Sequence, residues 1–256
     1  MRSCMFVSYL AVLTLLVATP VRAAAAQETT IAPAVDPDAL YRNRERPASA
    51  VAAEKVWADR LAAGSGGFEA AWKLAKTRYW LGTNGPGTSD EKKRLLEAGI
   101  AAARRALAAR PDAVEGHFWL AATMGALADA HGLRQGMKYR APIKAALEKA
   151  LLIQPGYLDG SPDRALGRWY YKVPGLFGGD VRKSEVHLRK ALSYKSDSII
   201  SLLFLAETLL DLDRKAEARA ALQSAIDAAP DPEWAPEDAR FKAQARKLLA
   251  SLGSVP

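Results

Sequence analysis

The sequence predicts an all-α fold, a stack of antiparallel helix pairs with a capping helix at its C-terminal end. Three observations predict it. The chain has 256 residues, half of them hydrophobic, with alanine prominent throughout, a composition tilted toward helix and against disorder. No run of alternating β-branched residues argues for a strand. Finally, three helical stretches end in the same way, Ala101–Ala109 before Pro111 in "ALAARP", Ile143–Gln154 in "ALLIQP" and Ala216–Ala229 in "AIDAAP", and Ser184–Lys195 in "ALSYKS" has the same shape with Ser196 in place of proline. A helix that repeatedly closes on Ala-x-x-x-x-Pro is the mark of a tetratricopeptide (TPR) unit.

The first helix of each unit carries a large apolar residue followed by a small one. These pairs are Leu74-Ala75, Leu120-Ala121, Leu166-Gly167 and Leu205-Ala206. The small residue lets the two helices of a unit approach closely. From Ala206 to Ala225 is 19 residues, the spacing of a standard 34-residue repeat. The other units are longer by 12 (Ala75 to Ala106), 10 (Ala121 to Ala150) and 5 (Gly167 to Ala191). The extra residues are expected in the turn between first and second helix, so that all project from one edge. Ala39–Arg44 and Ala50–Leu61 read as a degenerate first pair. Turns are expected at Gly64–Gly67 and Gly82–Gly87. Pro236-Glu237-Asp238 opens a final helix with residues that suit its dipole. The array therefore has about five pairs plus a cap, over residues 37–256.

The N-terminus reads differently. Arg2 precedes an apolar run from Cys4 to Ala18, and Ala24-Ala25-Ala26 offers a cleavage site. Residues 1–26 are expected to be a signal peptide, 27–36 a flexible leader and the location the periplasm. The net charge of +8 falls to +6 without residues 1–26, and the single cysteine, Cys4, goes with them. A disulfide scaffold and a cysteine nucleophile are thereby excluded.

Beyond the repeat marks, the stretches "ALYRNRE", "AAWKLAKTRYWLG", "EGHFWLAATMGALA", "ALGRWYYKVPGLFGGDVRKSEVHLRKAL" and "WAPEDARFKAQARKLLASL" are distributed along nearly the whole of residues 27–256. Together they resemble the T component of TRAP-type (tripartite ATP-independent periplasmic) transporters. That resemblance implies a TPR-like periplasmic protein working with a substrate-binding protein and a small organic solute. Members of that family can carry a lipid on a cysteine, which residues 27–256 lack.

No catalytic constellation emerges. His117, His131 and His187 form no metal-binding pattern, and the glycine stretches lack the strand and Lys-Ser/Thr of a phosphate loop. No cofactor, metal or catalytic residue is expected, nor nucleic acid, because basic residues are interspersed with acidic ones. Self-association is left open. The candidate ligand-binding residues are Trp72, Trp80, Trp119, Arg140, Trp169, Tyr170, Lys172 and Phe177. Aromatic side chains and a few polar groups make small-molecule pockets, although packing between helices explains the same residues. If both expansions lie on one edge, His131, Arg134, Lys138 and Arg140 in one and Lys172, Arg182 and Lys183 in the other make that edge cationic, although ordinary solvent exposure explains the same charges. The loop Pro174–Gly179 sets Leu176 and Phe177 there, as a contact surface or as a plug of the array. The alternative to a solute-binding transporter component is a periplasmic TPR scaffold that binds proteins.

Overall fold

The computed structural model describes residues 35–253, and every regular element among them is helical. Helix α1 (Pro37–Arg42) pairs with α2 (Pro47–Ala62), α3 (Gly67–Asn84) with α4 (Ser89–Ala109), and α5 (Val114–Ala130) with α6 (Gly132–Ile153). Then α7 (Ser161–Lys172) pairs with α8 (Val181–Tyr194) and α9 (Ile199–Asp211) with α10 (Lys215–Asp227), and α11 (Ala235–Ser251) caps the stack. This is the TPR-like array that the spacing predicts. The segments 1–26 and most of 27–36 lie outside the described residues.

Local chemistry sets the helix boundaries. Asp36 caps α1 by accepting from the Asp38 N–H at 2.9 Å, with Pro37 at the first helical position. Thr88 and Glu91 form a reciprocal capping box on α4, with the Thr88 N–H donating to Glu91 Oε2 at 2.7 Å. Asp180 caps α8 through the Arg182 and Lys183 N–H groups. At the other ends, Arg110 and Gln154 each precede a proline and are held out of the helical region (ψ 90° and 88°).

Packing follows the small-residue marks. Ala75, Ala121, Gly167 and Ala206 on first helices are all buried, as are Ala106, Ala150, Ala191 and Ala225 on second helices. The approach is close at Gly167, where a Cβ would stand 2.7 Å from Leu188 Cγ. One core runs from α2 to α7 around Leu74, Leu96, Met124, Leu127 and Leu147. Another spans α8 to α11 around Leu188, Leu203, Leu209 and Leu222.

The expansions depart from expectation. Only Gly85–Thr88 connects α3 to α4, and His131 alone separates α5 from α6. The extra residues lengthen helices instead: α3 to α6 have 18, 21, 17 and 22 residues, against 13 each in α9 and α10. Gly82 accordingly lies inside α3 rather than in a turn. In α6 the reason is the lack of a proline between Gly132 and Ala141, so nothing stops the helix from propagating once it has started. Pro142 sits inside α6, where it removes one backbone donor. It falls where a standard second helix would begin. Only the smallest expansion stays in a turn, Val173–Asp180, which holds a 3-10 turn over Gly175–Phe177.

Two glycines test this packing. Gly167→Ala forces Leu188 to move and is expected to lower stability by about 1–3 kcal/mol. Gly125, within α5, has no atom within 4 Å of a built Cβ, so Gly125→Ala is expected to be neutral or to gain up to about 1 kcal/mol. Urea unfolding of both variants measures the contrast.

Candidate functional site

The two ends of the array meet through charge and aromatic rings. Arg44, in the α1–α2 turn, is only 2% exposed. Its Nε donates to Glu237 Oε1 at 3.1 Å, and its Nη2 donates to Glu237 Oε2 and to the Glu233 carbonyl, each at 2.5 Å. Its Nη1 reaches the Tyr41 carbonyl at 3.4 Å. The guanidinium carbon lies 4.9, 5.0 and 5.8 Å from the ring centres of Tyr41, Trp80 and Trp234. The Trp80 Nε1–H donates to the Arg44 carbonyl at 3.0 Å. Beside it, Lys76 Nζ is 4.6 Å from the Tyr41 ring and 3.2 Å from the Glu233 carboxylate. Burial pushes the Glu237 carboxyl above its usual range while Arg44 opposes the shift. Burial pulls the Lys76 ammonium down against the pull of Glu233.

This closure roofs a pocket of about 110 Å³. Trp234, Glu237, Asp238 and Phe241 come from the C-terminal segment, and Tyr79, Phe118 and Trp119 from α3 and α5. Phe118 and Trp119 meet edge to face, with centroids 5.1 Å apart. The remaining wall is the turn into α7. There Leu158, Asp159 and Gly160 all take positive φ (45°, 56° and 76°), a sequence of left-handed residues that is costly without local compensation. Glycine is required at position 160, since a Cβ would lie 3.1 Å from the Ala191 Cα. The turn aims Ser161 and Arg164 at the pocket. Ser161 Oγ donates to the Leu158 carbonyl and accepts from Arg164.

Arg164 has no carboxylate within ion-pair distance among the described residues. Burial pulls its guanidinium down to about 10, with Tyr79, Asp159 and Asp238 opposing, so it stays charged at neutral pH. Lys195, by contrast, is bonded to Asp231, which raises its ammonium. Asp238 accepts from the Asp231 N–H at 2.8 Å. The pocket thus combines aromatic walls with one guanidinium free to take a further hydrogen-bond acceptor. Among the described residues no cluster of His, Asp and Glu suits a metal ion.

The predicted ligand residues are dispersed. Trp119 lines the pocket, and its Nε1–H donates to the Tyr157 hydroxyl at 3.3 Å. Trp80 belongs to the Arg44 closure. Trp72 is half-buried against the main core with Lys73 over its ring. Trp169 and Tyr170 are buried between helices. The Trp169 Nε1–H donates to the Arg140 carbonyl at 2.8 Å, and Tyr170 stacks on His187 at 5.4 Å. Arg140 lies over Phe177 at 4.9 Å on the outer edge, where Lys172 is exposed. The loop Pro174–Gly179 therefore rests on that edge, and the segment that covers the pocket is Asp231–Phe241.

Arg44, Arg164, Trp234 and Glu237 carry no motif that would have singled them out. Glu237 in particular sits at a helix N-terminus, where the dipole already accounts for an acid. The one usable signal is Asp159-Gly160-Ser161-Pro162, a turn and helix start with glycine where φ is positive.

Residues 38–176 match the family described as regulator of microtubule dynamics protein 1-3, more than half of the chain. The chain belongs to this family. Residues 179–252 match a tetratricopeptide repeat family. Two curated relatives are named regulator of microtubule dynamics protein 1. The one from Pongo abelii is 26% identical over 199 residues, covering 72% of this chain and 62% of the relative. The one from Bos taurus is 26% identical over 197 residues, covering 71% and 61%. This chain thus spans less than two thirds of the relatives' length. Among solved structures, a thermophilic TPR protein of Thermus thermophilus superposes with a TM-score of 0.62 at 23% identity, covering 84% of this chain and 97% of that one. That likeness concerns the fold.

These findings correct two expectations. The family is not the TRAP T component, and the resemblance to it extends to the shared TPR architecture. The periplasmic location is overturned, because the relatives are animal proteins named for microtubules and animal cells have no periplasm. A periplasmic substrate-binding protein falls with it as a partner.

The closure makes a direct prediction. Arg44→Met leaves Glu237 buried without its partner and is expected to lower stability by about 3–5 kcal/mol. The double variant Arg44→Met/Glu237→Met is expected to recover most of that loss, as read by urea denaturation.

Proposed function

We propose that the chain is a protein-interaction scaffold and not an enzyme, and that the pocket beneath Trp234 seats one anchoring group of a partner protein. The observation that carries this reading is the size of the pocket. Its volume of about 110 Å³ falls below the ~300–1,000 Å³ of sites that enclose whole small molecules. It suits a single protruding side chain or chain terminus. Arg164 would meet an acceptor on that group while Phe118 and Trp119 hold its apolar part. Other members of the architecture present a surface to partners in the same stacked form, and no nucleophile–base pair or metal cluster in the described residues competes with this reading.

The relatives' name makes the microtubule the first partner to test. Co-sedimentation of the full chain with polymerised tubulin is expected to bring it into the pellet. Arg164→Ala is expected to weaken the association about tenfold or more, as for an unmade charged hydrogen bond, with thermal stability little changed. A chain that stays in the supernatant removes the microtubule as partner. An Arg164→Ala variant that pellets like the wild type removes the pocket as the anchor.

A further inference from the structure

The ten residues that lengthen α6 create a surface that the pocket does not use. Leu133, Met137 and Arg140 recur at helical spacing and share one face of α6. Arg140 Nη1 lies 3.6 Å from Met137 Sδ, and its guanidinium covers the Phe177 ring at 4.9 Å. The stripe therefore passes from α6 onto the 3-10 turn, where Leu176 adjoins Phe177. Leu133 is 77% and Leu176 89% exposed, and Met137 and Phe177 are exposed as well.

Arg134 and Lys138 neighbour this stripe on α6, and Lys172, Arg182 and Lys183 flank the Val173–Asp180 turn in sequence, all exposed. None of the five has an ion-pair partner among the described residues. The nearest acid in the turn, Asp180, is engaged in capping α8. Apolar side chains at the crest with a cationic surround make one continuous amphipathic edge.

We propose that this edge docks onto the surface of an anionic lipid bilayer. Leu133, Met137, Leu176 and Phe177 would enter the headgroup boundary while the five cations meet phosphates and carboxylates. Two observations favour a bilayer over an acidic protein. The five cations are spread over three separate helices, α6, α7 and α8, complementary to an anionic plane rather than to a particular residue. The apolar groups also protrude, whereas protein anchors fill pockets that exclude water. Docking of this kind is peripheral. Among the described residues, no helix is long and apolar enough to cross a membrane.

Flotation of the full chain with phosphatidylcholine vesicles, with and without phosphatidylserine, tests the proposal. Flotation is expected with phosphatidylserine and is expected to weaken as salt is raised. Leu176→Ser/Phe177→Ser and, separately, Lys172→Glu/Arg182→Glu are each expected to reduce partition about tenfold or more. Both pairs are solvent-facing, so thermal unfolding should stay within a few degrees of wild type. Absence from phosphatidylserine vesicles overturns the proposal, as does equal flotation of both variants. Retention on immobilised polyglutamate without binding to vesicles also overturns it, in favour of an acidic protein. Each outcome is independent of the Arg164 pocket, which neither variant touches.

Discussion

Arg44 and Glu237 stand 193 positions apart, and the ion pair between them changes the kind of object this array is. In a simple stack each repeat contacts only its neighbours, and stability is close to a sum of local terms. Here the turn after α1 grips the start of α11, so the first and last elements share a free-energy term. A buried ion pair is seldom a gain over apolar packing, because desolvation offsets the attraction. What it supplies is geometry. A bidentate pair in a ring of Tyr41, Trp80 and Trp234 permits one placement of α11. The pocket follows from that placement, since without it Trp234 and Asp238 would not stand across from Phe118 and Arg164.

The contrast with the rest of the structure explains what the sequence shows and what it hides. Repeat boundaries depend on nearby residues: a small side chain where two helices touch, a proline after the second helix. They can be read from spacing, and the five pairs with their cap are legible in this way. The length of each helix is also local, but it turns on an absence. Nothing between Gly132 and Ala141 stops a helix, and an expansion without a stop signal extends the helix rather than forming a turn. The pocket is not local at all. Glu237 and Asp238 look like ordinary N-terminal acids, and Arg44 looks like one charge among several in "RNRERP". Only the fold brings them together. Of the candidate residues, Trp119 reaches the pocket because first helices face inward, and Trp169 and Tyr170 are buried by the same periodicity without reaching it.

Shared packing also explains why a resemblance to one TPR-like family accompanies membership of another. Aromatic, small and proline positions record how helices pack, and unrelated partners can be served by the same packing. The division within the chain is more informative. The family match ends at Leu176, in the turn after α7, and the generic repeat match begins at Gly179. The two main apolar cores divide between α7 and α8 as well. The lengthened pairs α3–α4 and α5–α6 lie before that point and the standard pair α9–α10 after it. What distinguishes this chain from a generic stack is therefore concentrated where its helices are longest.

Length in helical form has a mechanical consequence. Ten residues in a flexible loop could reach in many directions, and their side chains would lose conformational freedom on meeting any surface. The same residues in a helix add roughly 15 Å of rigid rod at 1.5 Å per residue. They hold Leu133, Met137 and Arg140 on one face before any partner arrives. Pro142 removes a hydrogen bond at the base of that rod, a known place for a helix to bend. The Trp169 Nε1–H bond to the Arg140 carbonyl ties the same region to α7. The rod is thus anchored where a proline weakens it, and the Phe177 turn packs at that anchor. Pocket and edge are placed by different devices, a long-range ion pair and a local helical extension. A substitution that disables one should therefore leave the other in place.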